Sequence, residues 1–362
     1  MKTFENVNKP LMWTTALLLT AMLAGCGGND GAPGAPGAPG APGTPGTPGT
    51  PAPGANPGAV NLGSAASYAL TTSSGLTTTG VANFGGNVAM DAPTQTCMAT
   101  PVASGVTATQ DSCGMEAASG VPATTNIDVI NPPITATPTG LTITGTTIRY
   151  DILNSAAFNA TVRAVKDDVH AAYLDAARRV GGVALPGPYG SSYLDGITLS
   201  PGVYGNMGYY MYLDDGQTLT LDGGGNPNAV WIFQAFALSV SGSTVACTGG
   251  NTAPVVCTPT QVKLVNGALA RNVFWEVGTP NVFGDGDGGV NFYAGAADAP
   301  AENDTIFKGT ILAGSSVTFN GGSTAVEGRV LAGAELSGTP NVSGGAVTTT
   351  AGTGPVTVTL PK

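Results

Sequence analysis

Charge is what this sequence has least of. Asp, Glu, Lys and Arg make up 9% of its 362 residues, against roughly 25% in an average soluble protein. Twelve Lys and Arg against 22 Asp and Glu give a formal charge of -10, so no clustered cations exist to neutralise phosphates, and a nucleic-acid partner is excluded. Histidine occurs once, as His170, far from any cysteine pair, and no Cys-x-x-Cys spacing is present. That rules against a zinc site, and no Ser or Cys partner for a catalytic triad is discernible. What abounds is glycine, at 55 residues, with 27 prolines, and Thr, Ser, Val and Ala in short runs. This composition predicts many short strands joined by tight turns, an all-β chain with few helices.

The N-terminus carries Lys2 and Lys9 ahead of an apolar stretch, Leu11 to Leu23, too short to span a bilayer as a mature helix. It ends in Leu23-Ala24-Gly25-Cys26, which resembles the bacterial lipoprotein cleavage box. The resemblance implies cleavage before Cys26, lipid on its thiol, and an exported protein held at the outer membrane or cell surface, or released from it. Gly27, in place of Asp, suits outer-membrane sorting. The membrane is then a partner through the lipid anchor alone.

Residues 31–51 are seven Gly-X-Pro triplets. Glycine in every third place is what a collagen triple helix requires, but so few triplets favour a semi-rigid polyproline-II stalk. Trimerisation of the stalk is the alternative to a monomeric solenoid. Removal of Cys26 from the count leaves Cys97, Cys113, Cys247 and Cys257, disulfide candidates in an oxidising setting. Sequence cannot choose among their three pairings. The expected organisation is a signal peptide at 1–25, acylated cysteine plus stalk at 26–58, a single domain at 59–350 and a C-terminal tail at 351–362.

One segment, 154–182, breaks the β pattern. Phe158, Val162, Val165, Val169, Ala172, Tyr173, Ala176 and Val180 recur at steps of three and four, which predicts an amphipathic helix. Asn154 or Ser155 would cap it, and Gly181-Gly182 would end it. A helix near 40 Å long matches some eight strands stacked about 4.8 Å apart, so it should lie along a stack and cover one side. Three later segments align by eye: Val273 to Gly278, Lys308 to Ala313 and Glu327 to Ala332, with starts 35 and 19 residues apart. The second interval suits one coil of a three-sided solenoid. The first holds either two coils or one coil carrying the loop 284–304.

Taken together, "LGSAASYAL", the "AAYLDAARR" helix, "ITLSPGVY", "LTLDGGGNPNAVWIFQ", "VKLVNGALARNVFWEVG", "FKGTILAG" and "VEGRVLAG" occur in one order from Leu62 to Gly345. This ordered set resembles the ice-binding β-solenoid family of bacteria, fungi, diatoms and sea-ice algae. The resemblance implies an irregular right-handed three-sided β-solenoid with one long α-helix packed along its axis, and late strands that pair with the N-terminal segment. It implies non-catalytic adsorption to ice, thermal hysteresis and inhibition of recrystallisation, with no cofactor. Some members carry Thr-Ala/Gly-X-Thr/Asn. Thr139-Gly140-Leu141-Thr142 matches that pattern, and Ser74-Gly75-Leu76-Thr77 nearly does.

The residues suit such a role. Outward side chains on strands stacked about 4.8 Å apart form a near-regular grid, with a spacing close to a repeat of the ice lattice. Threonine's stiff χ1 holds methyl and hydroxyl in one register, so little rotamer freedom is lost on adsorption. The expected ice-contacting residues are Thr77, Thr79, Thr139, Thr142, Thr144, Thr310, Ser316 and Thr318. Three other readings compete. Asp167-Asp168, Asp214-Asp215 and Asp285-Gly-Asp287 are carboxylate pairs of the kind a glycosidase needs, but they read as a solvated helix face and as turns. Loop 284–304, with Asp298, Glu302 and Asp304, has carboxylates for calcium but lacks the twelve-residue pattern, so no metal is expected. The tyrosines of Gly205 to Asp215 read as strand packing in preference to a sugar platform. The alternative function is a surface-anchored adhesin for polysaccharide or another cell.

Overall fold

The computed structural model describes residues 56–73, 75–78, 81–91, 110–111, 115–117, 124–125, 141–149, 156–187, 191–205, 210–242, 258–278, 289–293, 305–334, 345–350 and 354–362. Within them the chain visits three parallel ladders in fixed rotation. Face I collects Thr198–Leu199, Thr218–Asp222, Thr260–Val265, Val356–Thr359, Ala82–Gly85 and Leu141–Ile143. Face II collects Gly202–Gly205, Trp231–Ala235, Val273–Val277, Tyr68–Thr72, Asn87–Met90 and Thr147–Arg149. Face III collects Ser191–Tyr193, Tyr210–Leu213, Ala237–Val240, Val290–Tyr293, Val317–Asn320, Ala346–Thr350, Gly75–Thr78 and Met115–Ala117. The remaining long strands, Thr305–Ala313 and Thr324–Ala332, serve faces I and II in turn. The result is an irregular right-handed three-sided β-solenoid.

Glycine makes the bend in those two strands. Gly309 has φ +115°, and a Cβ on Gly328 would lie 1.7 Å from the Gly309 carbonyl oxygen. Only a residue without a side chain lets two bent strands stack so closely. Inside the prism, alternate residues of each strand meet in columns. Phe233 stacks on Trp275 at 4.0 Å, and Phe292 stacks on Phe319 at 4.8 Å. Columns of like residues keep successive coils level.

The solenoid closes on its own ends. Val356–Thr359 lies between Thr324–Ala332 and Ala82–Gly85, while Tyr68–Thr72 lies between Thr324–Ala332 and Asn87–Met90. The coil opened by the last strands is therefore completed by the first one, as the resemblance implied. Residues 351–362, expected as a tail, instead contribute a central strand whose Val356 and Val358 are buried. At the other boundary the fold begins by Asn56, whose side chain binds Asn228 and Val230, three residues ahead of the expected start.

Coil spacing is also corrected. Phe274 pairs with Thr310 and Val277 with Ala313, an offset of 36, whereas Thr310 pairs with Arg329 at the expected 19. One coil with inserted segments fills the longer interval. The register inferred by eye was one residue off, and in a strand that exchanges inward for outward.

The helix, Ala156–Ala177, is about 33 Å long at 1.5 Å per residue. Eight strands about 4.8 Å apart span about 34 Å, and face II has eight. Val162, Val165, Val169, Ala172, Tyr173 and Ala176 are buried against Ile148, Val203, Ile232, Phe274, Leu312 and Leu331 of that face. Val180 is not part of the stripe: it is 91% exposed, because the helix stops at Ala177. A glutamine of the sheet caps that end. Gln234 Nε2 donates to the carbonyls of Ala176, Ala177 and Arg179 at 2.8, 3.2 and 2.9 Å, satisfying acceptors the helix cannot. The expected loop 284–304 is interrupted by the face III strand Val290–Tyr293; its residues 284–288 and 294–304, together with Asn154, Ser155, the stalk at 31–51, Cys26, Cys97, Cys113, Cys247 and Cys257, lie outside the described residues.

Candidate functional site

Face II is covered by the helix, which leaves faces I and III to meet an external surface. Register defines what each presents. On face I, one outward row runs Thr218, Gln261, Ile306, Ala325, Thr357, Asn83, Thr142. Beside it lie Thr220, Lys263, Lys308, Glu327 and Thr359. Lys263 is exposed, and Lys308 Nζ is 2.7 Å from Glu327 Oε2. Asp222 adds a carboxylate whose pKa is held low by the Gly224 N–H and the Asn266 amide. Charges hold their hydration tightly, and pressing them against ice would cost desolvation without a compensating partner.

Face III carries none among its described outward side chains. Its central row runs Tyr193, Tyr212, Ser239, Asn291, Thr318 and Thr348, uncharged throughout; the same register continues through the strand positions of Thr77 and Glu116, so an acidic position ends the row beyond Thr348. A second row holds Tyr210, Ala237 and Ala346, and a third Tyr293 and Asn320. Beneath them Leu238, Val290, Val317, Val347 and Leu76 form one inward column, all buried. The backing is rigid because close-packed columns of like shape leave outward side chains no room to recede. The patch from Ala237 to Thr348 is therefore level, small in its side chains, and rich in hydroxyl, methyl and amide groups.

The predicted residues divide among the faces. Thr318 is outward on face III, Ser316 sits half-buried at its border, and Thr77 occupies a face III strand. Thr142 is outward on face I, and Thr144 is exposed just after that strand. Thr79 and Thr139 lie outside the described residues. Thr310 is a correction: it is fully buried, and its Oγ1 accepts from Arg329 Nη1 at 3.3 Å. It points away from the solenoid axis, as expected, but into the layer beneath the helix. Sequence reasoning missed Ser239, Asn291, Asn320, Ala346 and Thr348, whose signal was the alternation in "ALSV", "VNFY", "VTFN" and "AVTTT".

The rival readings are also placed. Asp167 is exposed on the helix, as expected, and Asp168 is half-buried beside it, where its Oδ2 accepts from the Ser64 N–H at 2.7 Å and the Ser64 hydroxyl at 2.6 Å. Asp214 and Asp195 flank the turn between faces III and I, where the Asp214 N–H donates to Asp195 Oδ1 at 2.9 Å. Burial, with the Asp195 charge beside it, raises the Asp214 pKa. This pair binds a turn. His170 is half-buried, with Nδ1 2.7 Å from the Ala334 carbonyl oxygen. The tyrosines pack strand against strand: Tyr193, Tyr212 and Tyr210 stack at 5.3 and 6.3 Å on the outside of face III, with Tyr210 41% exposed. Their ring faces cover one another, so they form a border at one end of the face. Among the described residues no cluster of three or more metal-ligating side chains occurs.

Comparison with known proteins bears on the family and the fold. The profile of a family described as Ice-binding-like matches residues 70–338. The crystal structure of an ice binding protein from an Antarctic Biological Consortium is 24% identical, with a TM-score of 0.51, and the match covers 86% of this chain and 96% of that one. A glycosylated ice-binding protein from an Arctic yeast is 20% identical, with a TM-score of 0.50, covering 83% and 94%. At these identities the two structures establish the fold. No curated protein gives a significant match.

Proposed function

The chain belongs to the Ice-binding-like family, and on that premise we propose that it adsorbs to ice through face III, without catalysing a reaction. The observation that carries this reading is the column Ser239, Asn291, Thr318, Thr348: adjacent strands, one register, no charge. Each threonine offers a methyl that orders neighbouring water and a hydroxyl that anchors it. Because the strand backbone and the stiff χ1 already fix both groups, ordering on contact costs little. Many weak contacts over a level area then add up, whereas one raised or charged side chain would separate the surfaces. Face I meets neither condition.

The protein works outside the cell or at its surface, as a monomeric solenoid. Lipid on Cys26 and a Gly-X-Pro stalk at 31–51 would hold the domain away from a membrane, so that it either tethers the cell to ice or modifies ice nearby. Two disulfides among Cys97, Cys113, Cys247 and Cys257 would pin the loops that interrupt the coils. The direct test is microscopy of ice crystals grown in dilute purified protein. Faceted crystals with arrested growth support the proposal, and round discs that grow freely count against it.

A further inference from the structure

The N-terminal entry into the solenoid is a built feature that ice adsorption alone does not require. In each coil the corner between faces I and II is the edge that faces III does not touch, so in a three-sided prism it lies opposite face III. Residues 56–67 run along this edge beside the helix. Asn56 Nδ2 donates to the Asn228 carbonyl at 2.9 Å, and Asn56 Oδ1 accepts from the Val230 N–H at 2.8 Å, both at the corner that opens Trp231–Ala235. Three coils further on, Arg329 Nε and Nη2 donate to the Ala66 carbonyl at 2.9 and 2.7 Å. Between these points Val60, Leu62 and Ala65 are buried against the helix. Ser64 is held by Asp168 of the helix through both its N–H and its hydroxyl. Gly63, at φ +50°, lies where any Cβ would be 2.5 Å from the Asp168 carboxyl carbon. The C-terminus meets the same edge, where Arg271 Nη1 donates to the Lys362 carbonyl at 2.9 Å.

We infer that residues 56–67 form a mooring strap, which brings the N-terminal segment into the solenoid on the edge opposite face III. A protein held by that segment then turns face III away from its holder. Load passes from Asn56 through the Asp168 and Arg329 clamps into Tyr68–Thr72, a strand hydrogen-bonded on both sides, and so is spread over the sheet. A strap on face III, or on a corner bordering it, would instead press the adsorbing surface toward the holder. The inference rests on the assignment of face III and adds the orientation of the tethered protein.

The test uses the full chain on streptavidin beads, biotinylated at its N-terminus, at its C-terminus, or at a biotin-bearing non-natural residue replacing Thr348. Beads are offered to a slowly growing ice hemisphere. Both terminally held forms should be captured, and the form held at position 348 should be excluded. Exclusion of N-terminally held beads, while the same protein free in solution still arrests ice growth, would overturn the orientation and leave face III intact. Capture of beads held at position 348 would instead sink the face assignment itself, as would unchanged hysteresis of Thr318→Tyr in free solution.

Discussion

Thr318 and Thr348 stand opposite each other in register on adjacent parallel strands of face III, above an inward column that includes the stacked rings of Phe292 and Phe319. Strand spacing sets their separation along the axis at about 4.8 Å. Because the side chains beneath them are fully buried and close-packed, the pair can neither sink nor spread. A hydroxyl–methyl pair held this way is a fragment of lattice, and its geometry organises what should be measured.

Thr318→Tyr and Thr348→Tyr each place a ring above the level of their neighbours. Each should remove most of the thermal hysteresis while circular dichroism stays unchanged. Thr142→Tyr, on face I, should leave hysteresis near that of the parent. If the Thr142 variant fails and the other two do not, the wrong face has been assigned.

Thr348→Lys tests charge separately from bulk. An ammonium on a flexible stem holds water that ice must displace, so activity should fall at neutral pH. Lys263→Ala on face I, which removes an exposed charge, should change hysteresis little. Ice-recrystallisation assays read both.

Arg329→Met should destabilise the fold without touching face III. It strips the Ala66 carbonyl of two charge-assisted donors in a buried setting, which costs about 1–3 kcal/mol. Chemical denaturation should show the loss as a lower midpoint with unchanged slope. Hysteresis per folded molecule should persist.

Deletion of 354–362 should abolish cooperative unfolding. Val356–Thr359 fills a gap between two strands of face I, and without it both present bare ladder edges and lose buried apolar contacts. A dispensable tail would leave the thermal transition intact, so retention of a sharp melt would contradict the topology.

Lys166 predicts a pH dependence with a definite sign. Burial pushes its ammonium down to about 8, partly offset by Asp91 and Asp167. Between that value and the ordinary lysine pKa near 10.4, the unfolded chain binds more protons than the folded one, so stability rises with pH. Above about 10 the half-buried Tyr68 and the buried Tyr204, whose pKa values are raised by desolvation, oppose it. The melting temperature should therefore climb from pH 8 toward pH 9.5 (about half a pH unit below the tyrosine limit), and Lys166→Met should flatten the climb.

The amino-acid sequence by itself determined the solenoid, because its signals are local. Apolar alternation, glycines at bends and a three-and-four stripe in 154–182 each report a backbone state within a few residues. The ordered motifs from Leu62 to Gly345 reported the family in the same way. It also pointed to uncharged, largely hydroxyl-bearing residues as the expected adsorbing set. Tertiary structure alone decided which side of the prism they share, since a face is made of residues 30 to 271 positions apart, as Thr318, Thr348 and Thr77 are. Thr310 shows why. Its local pattern matches that of an outward threonine, but a helix from elsewhere in the chain covers the face it points to, and Arg329 claims its hydroxyl. Outward phase is a property of the strand; exposure belongs to whatever packs over it.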